Sequence, residues 1–441
     1  MSPTHPVDRR TFLATSGALV AGAAVSAVGV PVPAARRRLA LAGTGSRGSG
    51  TWGQDLVQHY DDRIELVGLF DRNGLRARAA QRLIGTTAPV FADFDTMVRQ
   101  ARPDEVIVAT VDATHARYIV RALELGVDVL TEKPMCTDEA QCQAILDASA
   151  RTGRRVTVTL NARHSREAKK VKALLQEGAI GDVLAVDFHE YLDTSHGADY
   201  FRRWHRFKEN SGTLLCHKAS HHFDLANWWL DSEPVEVSAS GDLRVYGRNS
   251  SFRGTNCRTC PHRTTCPFAW DVTASARNVA LYVDCESEDG YLRDGCVFDE
   301  RIDIYDTMSV TVRYANRAML TYTAAAHLPF EGQSVSFNGT RGRLDYVDMS
   351  GGGLARTELR LTPRFGSSQI IADLPPEREG GHDGADASLQ DLLFRNEPAS
   401  DPLHLRAGLR AGALSSLVGI AARHSIERGS QPVKIADLVR L

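Results

Sequence analysis

Ten consecutive residues restrict this chain more than any other stretch: Leu39-Ala-Leu-Ala-Gly43-Thr-Gly45-Ser46-Arg47-Gly48. An apolar run breaks there into Gly-x-Gly-x-x-Gly and continues as Gln54-Asp-Leu-Val-Gln-His-Tyr60, which reads as a buried strand, a tight turn and a helix. The first glycine lets the chain turn, the second admits a ligand close to backbone, and the third lets the helix lie against the strand. Ile64-Glu-Leu-Val-Gly-Leu-Phe70 is a second apolar run, and Asp71 closes it where a carboxylate can accept hydrogen bonds from a ribose diol. Strand, turn, helix, strand and acid in that order predict a dinucleotide site. Gly43, Gly45, Ser46, Arg47 and Gly48 belong to its diphosphate end and Asp71 to its adenosine ribose. Asp71 favours NAD, while Arg72 beside it keeps NADP open, because an arginine suits a 2'-phosphate.

Short apolar strands alternate with helical stretches from Arg38 to about Thr159, which predicts an α/β doubly wound parallel sheet over residues 36–160. Beyond the helix near Ser165 to Glu177 the pattern changes to strand-like runs, among them 183–191, 235–241, 306–314, 318–323 and 333–337. Residues 161–441 therefore read as an α+β domain with an open, mostly antiparallel sheet that covers the first domain's ligand crevice. Residues 248–305, rich in Cys, Asp and Gly, read as an inserted loop region. A chain of 441 residues, 43% hydrophobic, has enough material for two cores. Its 52 basic residues are matched by 54 acidic ones without a long single-sign block, which excludes a nucleic-acid partner.

The first 35 residues stand apart, because Asp8-Arg9-Arg10-Thr11-Phe12-Leu13 precedes a small, apolar, uncharged stretch from Ala14 to Val32. This order resembles a twin-arginine export signal, and it implies the twin-arginine machinery as a partner and a location outside the cytoplasm.

Chemistry concentrates first at Thr131-Glu132-Lys133-Pro134, where a lysine at the carboxyl end of a parallel strand can stabilise an alkoxide as hydride leaves carbon. Glu-Lys-Pro here, following the glycine turn and Thr110-Val-Asp-Ala-Thr-His115, resembles the family of glucose-fructose oxidoreductase, inositol dehydrogenase and MocA. The resemblance spans nearly all of the chain after residue 35, including Ala421-Ala-Arg-His-Ser-Ile-Glu-Arg-Gly429, which is similar to the family's terminal helix and turn. It implies a Rossmann domain, an open-faced second sheet, sugar or polyol substrates and a homo-oligomer. It also implies that Lys133 reaches both nicotinamide ribose and substrate hydroxyl, with a cis peptide before Pro134, and that Thr110, His115 and Glu132 lie on the cofactor side.

His217, His221, Asp224 and Trp228 recur at i, i+4, i+7 and i+11, so on one helix they share a face. His221 and Asp224 match the family's His-x-x-Asp, which makes His221 the acid/base by resemblance, and imidazole suits that role. Where many members carry an aspartate four residues earlier, this chain has His217 followed by Lys218, so either of these takes that place or the substrate binds differently. Two histidines at i and i+4 also admit a metal reading. Gly380-Gly381-His382-Asp383-Gly384-Ala385-Asp386 opens a helix that Asp386 can cap, leaving His382 on a loop able to close the site. NAD-dependent glycosidases of this fold look similar at this loop.

Substrate-side candidates are Arg163, Tyr200, Trp204, Asp224 and His382, since aromatic rings beside polar groups suit a sugar. Asn161, His164, Tyr191, Asp199, Arg203 and His205 are smaller candidates around them. Cys257, Cys260 and Cys266, with His262, Cys285 or Cys296, read as a structural zinc site or as disulfides, with an iron-sulfur cluster a further alternative. The expected activity is NAD(P)-dependent hydride transfer at a secondary hydroxyl of a sugar, cyclitol or glycoside. Export favours a tightly held cofactor that returns to its starting redox state, which leaves a redox-neutral glycosidase acting through a keto sugar as the alternative. A non-catalytic sugar-binding protein is the third reading.

Overall fold

The computed structural model describes residues 36–371, 374, 381–395 and 401–441. The expected export segment and Gly380 lie outside these residues. Arg36–Leu441 forms one compact unit.

The first sheet is built from β1 (Arg37–Ala42), β2 (Ile64–Phe70), β3 (Val90–Phe91), β4 (Glu105–Val108), β5 (Asp128–Thr131) and β6 (Val156–Val158). All of its pairs are parallel, in the order β3-β2-β1-β4-β5-β6. Leu39, Ala40, Leu41 and Ala42 are all 0% exposed, as a parallel strand covered on both faces requires. Short polar caps start the connecting helices: Asn73 accepts from the Arg76 N–H, Asp93 from Thr96 and Asp138 from Gln141. Strand order reverses at β1, so the crevice beyond β1 and β4 is a topological switch point. Gly43 turns the chain there with φ +92°, and a Cβ on it would fall 2.4 Å from the Ala109 carbonyl oxygen. A Cβ on Gly48 would fall 1.9 Å from the Gly43 carbonyl oxygen, which is the close helix-on-strand approach expected of the third glycine.

The second sheet contains β7 (Val183–Asp193), β8 (Pro234–Asp242), β9 (Thr307–Tyr314), β10 (Met319–Leu328), β11 (Glu331–Gly339), β12 (Gly342–Ser350), β13 (Arg356–Pro363), β14 (Gln369–Ile370) and β15 (Val433–Lys434). Its order is β14-β13-β12-β11-β7-β10-β9-β8-β15, antiparallel except for the β7–β10 pair. Along β9 the even-numbered residues from Met308 to Tyr314 are buried and the odd-numbered ones exposed, so one face is covered and the other open. The helix Leu409–Glu427 lies under the covered face and also reaches β6, tying the second sheet to the first.

Three features depart from the sequence expectation. The second sheet continues past the runs marked in the sequence into β12, β13 and β14, where charged and polar residues interrupt the apolar pattern and most positions are partly or fully exposed. The helix expected to hold both His217 and His221 is interrupted: Leu214–His217 and Ser220–Leu230 are separate helices. At the break the His217 carbonyl accepts from the Lys133 ammonium at 2.9 Å and the Ser220 hydroxyl at 3.3 Å.

The cysteine cluster forms neither of its two expected structures. Among the described residues no group of three or more His, Cys, Asp or Glu is arranged to hold a metal, and every cysteine is a free thiol. Cys257, Cys260 and Cys266 instead border a small pocket among Phe252, Phe268 and Phe298, and Cys285 donates to the Ala280 carbonyl at 3.3 Å, away from them. The insertion is stapled by charge: Arg258 reaches the fully buried Asp294 at 3.0 and 3.1 Å and also pairs with Glu286.

Candidate active site

A cavity of about 850 Å³ runs from the glycine turn between the two sheets to the helix Ser220–Leu230. Gly43, Gly45, Ser46, Arg47, Asp71, Arg72 and Thr110 line its first end. Gly45 is the glycine whose missing side chain leaves room for a ligand, since a Cβ there would meet only the Tyr282 hydroxyl, at 3.4 Å. Gly48 lies behind the wall, against the Gly43 carbonyl.

Asp71 sits where the ribose acid was expected, but the protein already engages it. It accepts from the Thr44 N–H at 2.8 Å, the Thr44 hydroxyl at 3.1 Å, the Asn73 N–H at 2.9 Å and Arg76 at 3.2 Å. Arg47 and Glu132 line the cavity and bind each other at 2.6 Å, and Glu132 also accepts from Trp52 Nε1 at 2.8 Å. Their role is thus partly to brace the glycine helix against the Glu-Lys-Pro turn. His115 is a buried part of the cavity lining, with its ring nitrogens 2.8 Å from the Pro134 carbonyl and 3.1 Å from that of Thr110. The Lys133–Pro134 peptide is cis.

Lys133, His217, Lys218, His221, Tyr200 and Trp204 meet at the other end of the cavity. Burial pushes the Lys133 ammonium down to about 8, against the opposing charges of Asp112 and Glu132. His217 lines the cavity, and its Nδ1 lies 2.6 Å from the Asp112 carboxylate. Burial and the nearby Lys133 charge hold His217 well below the usual imidazole range. Asp112 is itself pushed up by burial, opposed by Lys133. The carboxylate that meets the His217 ring comes from another element, the segment after β4.

His221 faces the same space with a buried, unpartnered Nδ1, and burial followed by the charges of Lys133 and Lys218 holds it well below the usual range. Lys218 turns to Glu190 on β7 at 3.1 Å; burial opposes its charge, and Glu190 more than restores it. Tyr200 gives its hydroxyl to a chain in which His196 Nε2 lies 3.0 Å away and His196 Nδ1 lies 2.6 Å from Glu331. Trp204 stacks on His205 with ring centroids 3.6 Å apart.

Two substrate-side expectations fail. Asp224 is 0% exposed and holds Arg163 in a two-pronged pair at 2.6 and 2.7 Å, and neither residue reaches the cavity. The pair locks the helix Ser220–Leu230 to the segment after β6, a structural use of the His-x-x-Asp motif's acid. Asp224→Ala is expected to destabilise the fold by about 3–5 kcal/mol, because it leaves a buried guanidinium uncompensated. Chemical denaturation checks this, and an unchanged midpoint would mean that the pair does not hold the helix.

Asp386 is likewise not a helix cap. The helix Ala385–Phe394 starts at Gly384 without a side-chain cap, and Asp386 accepts from Arg47 at 2.6 and 2.9 Å, Asn161 at 2.7 Å and His382 at 2.9 Å. His382, at φ +51°, is exposed and lines the cavity, held there by that carboxylate. Arg203 and His205 line the cavity too, whereas Asp199 pairs with Arg203 at 2.9 Å and Arg293 at 2.8 Å. Sequence reasoning missed Asp112, Glu190 and Tyr282. Asp112 stood within the Thr110 to His115 stretch, but its partner is 105 residues away.

A parallel sheet with a glycine turn at its switch point, sharing one cavity with an open sheet, a buried lysine and paired imidazoles, defines a dinucleotide-dependent oxidoreductase. Residues 37–160 match the Gfo/Idh/MocA oxidoreductase family, NAD-binding Rossmann fold, and residues 172–435 match its C-terminal alpha/beta domain. The chain belongs to this family. It is 35% identical to the putative oxidoreductase YteT of Bacillus subtilis over 430 residues, 92% of this chain and 99% of that protein. It is 33% identical over 201 residues to an inositol 2-dehydrogenase of Gluconacetobacter diazotrophicus, 44% of this chain and 56% of that one. The fold is shared with an inositol dehydrogenase homolog from Azotobacter vinelandii solved with NAD+ (TM-score 0.63, 19% identity, 91% of this chain and 98% of that one).

Proposed function

We propose that this protein is an NAD-dependent oxidoreductase acting at a secondary hydroxyl of a sugar, cyclitol or glycoside, with Lys133 and the Asp112–His217 pair as its proton-handling centre. The observation that carries this reading is the carboxylate-fixed imidazole beside a buried ammonium, in the same cavity as the glycine turn. When bound, NAD supplies the hydride acceptor. His217, neutral because it is buried, takes the hydroxyl proton on Nε2, and Asp112 on Nδ1 stabilises the resulting imidazolium. Lys133 stabilises the alkoxide that develops as the proton leaves. His221 and Lys218 face the same space and orient the substrate's remaining hydroxyls. Asp71 and Asp289, the two carboxylates that Arg76 joins at this end of the cavity, support NAD over NADP, since both would repel a 2'-phosphate.

Absorbance in the reduced nicotinamide band tests the reading. The purified protein, supplied with NAD, should gain that band with at least one member of a broad panel of sugars and polyols. No bound nucleotide and no spectral change across the panel would contradict it.

Catalysis should depend on pH through Lys133. Lys133 is charged below about 8, so kcat/KM for oxidation should be flat through neutrality and fall as pH rises through that value. The loss should be absent in Lys133→Arg, whose guanidinium stays charged. A profile that instead rises through this range would mean that Lys133 works as the neutral base.

One observation favours a second reading. Tyr200, backed by His196 and Glu331, is a further acid/base set on the same cavity, and cleavage through a keto sugar needs a group to remove the proton beside the oxidised carbon. Release of aglycone from a chromogenic glycoside without net NADH would favour this redox-neutral route. Arg9-Arg10 and the apolar stretch after them support export by the twin-arginine route, and with export a cofactor retained through turnover. The open face of the second sheet supports assembly into a homo-oligomer.

A further inference from the structure

The insertion between β8 and β9 completes neither sheet, yet its segment 276–291 is fastened to the glycine turn and to the helix after β2. Tyr282 accepts from the Ser46 N–H at 2.9 Å and donates to the Ser46 hydroxyl at 3.1 Å. Arg277 donates to the Ser49 hydroxyl at 2.8 Å and to Gln54 at 3.1 Å. Glu288 accepts the Gly74 and Leu75 N–H groups at 2.9 and 2.7 Å, and Asn73 donates to the Cys285 carbonyl at 2.9 Å. Arg76 joins Asp71 to Asp289, and its guanidinium lies 5.6 Å from the centre of the Tyr282 ring. Tyr282, Asp289 and Tyr291 line the same cavity as Gly45 and Asp71.

We propose that residues 276–291 are the outer wall of the dinucleotide site, with Tyr282 at the diphosphate and Asp289 near the adenosine ribose, and that this wall slows cofactor release. The inference rests on the reading above that a dinucleotide occupies this cavity, and it deepens that reading by naming what retains it. The placement follows from chemistry. The Ser46 N–H faces the opening left by Gly45, and the phenol oxygen that occupies it is an acceptor, as a diphosphate oxygen is. A phenol both donates and accepts, so Tyr282 can yield the amide to the ligand and turn its own O–H onto the diphosphate. Behind it, Arg277 and Glu288 stand outside the cavity lining, one bonded to the glycine helix and the other to the helix after β2, and hold the wall shut. Cofactor exit on this side requires those contacts to open.

The test is the dissociation rate of NADH from the full-length protein, followed by the fluorescence of bound NADH after mixing with excess NAD. The double variant Arg277→Ala/Glu288→Ala removes the fastening, and Tyr282→Phe removes one hydroxyl while keeping the ring that packs the wall. Loss of hydrogen bonds of this charge-assisted kind is expected to speed dissociation about tenfold or more in the double variant, and less in Tyr282→Phe. Hydrogen exchange of the amides at 46–49 should rise in parallel. Dissociation equal to wild type in both variants overturns the proposal, whatever the melting temperatures. Millisecond release from the wild type also overturns it and leaves the oxidoreductase reading intact. A wild type that does not bind NADH at all removes that reading instead.

Discussion

Lys133→Met should lower kcat by about 10²–10³-fold, with NADH binding close to that of the wild type. The magnitude is that of removing one preorganised donor from a developing oxyanion in a water-poor site. Lys133 meets the conditions for it: the ammonium is anchored at 2.9 Å on the His217 carbonyl, and its charge is held against burial by Asp112 and Glu132. Methionine keeps the length and packing of the stem but supplies neither charge nor donor. Steady-state kinetics with a responsive sugar, together with NADH titration, separates the two effects. A variant that loses NADH binding and catalysis equally would place Lys133 in cofactor binding alone.

His217→Ala is expected to cost about 10²–10⁴-fold in kcat, the usual worth of a positioned acid/base. Asp112→Asn should lower kcat with little change in KM, because Asp112 acts through the imidazole it orients rather than on substrate. His221→Ala, by contrast, should raise KM more than it lowers kcat, since its Nδ1 has no carboxylate to stabilise a proton gained on the other nitrogen. The reverse order, with His221→Ala the more damaging to kcat, would return the acid/base role to the histidine that the family resemblance points to.

These assignments also show how far the chain could be read before its structure. The glycine turn, Asp71 and Lys133 were legible because strand, turn and helix are local, and because each of those residues stands at the end of a strand whose apolar run can be counted. The covered face of β9 was legible for the same reason, as its alternation is written in consecutive residues. Arg163 and Asp224 misled because charged residues next to a catalytic motif look functional, and only their burial shows that they answer each other. Nothing in the spacing marked the break between His217 and His221, where a side chain 84 residues away takes the carbonyl at which the helix stops. Asp112 and Tyr282 could not be found by spacing, since their partners lie 105 and 236 residues away. Cysteine spacing that suits a metal or disulfides did not foresee an insertion held by Arg258, Asp294 and Glu286.

A native mass spectrum of the purified protein is the most direct test of the central claim, that the cavity between the glycine turn and Lys133 is a dinucleotide site. One NAD or NADH per chain is expected, carried through purification or restored by adding NAD, and retained in Lys133→Met. A spectrum showing only the polypeptide mass, with NAD in excess, would contradict it.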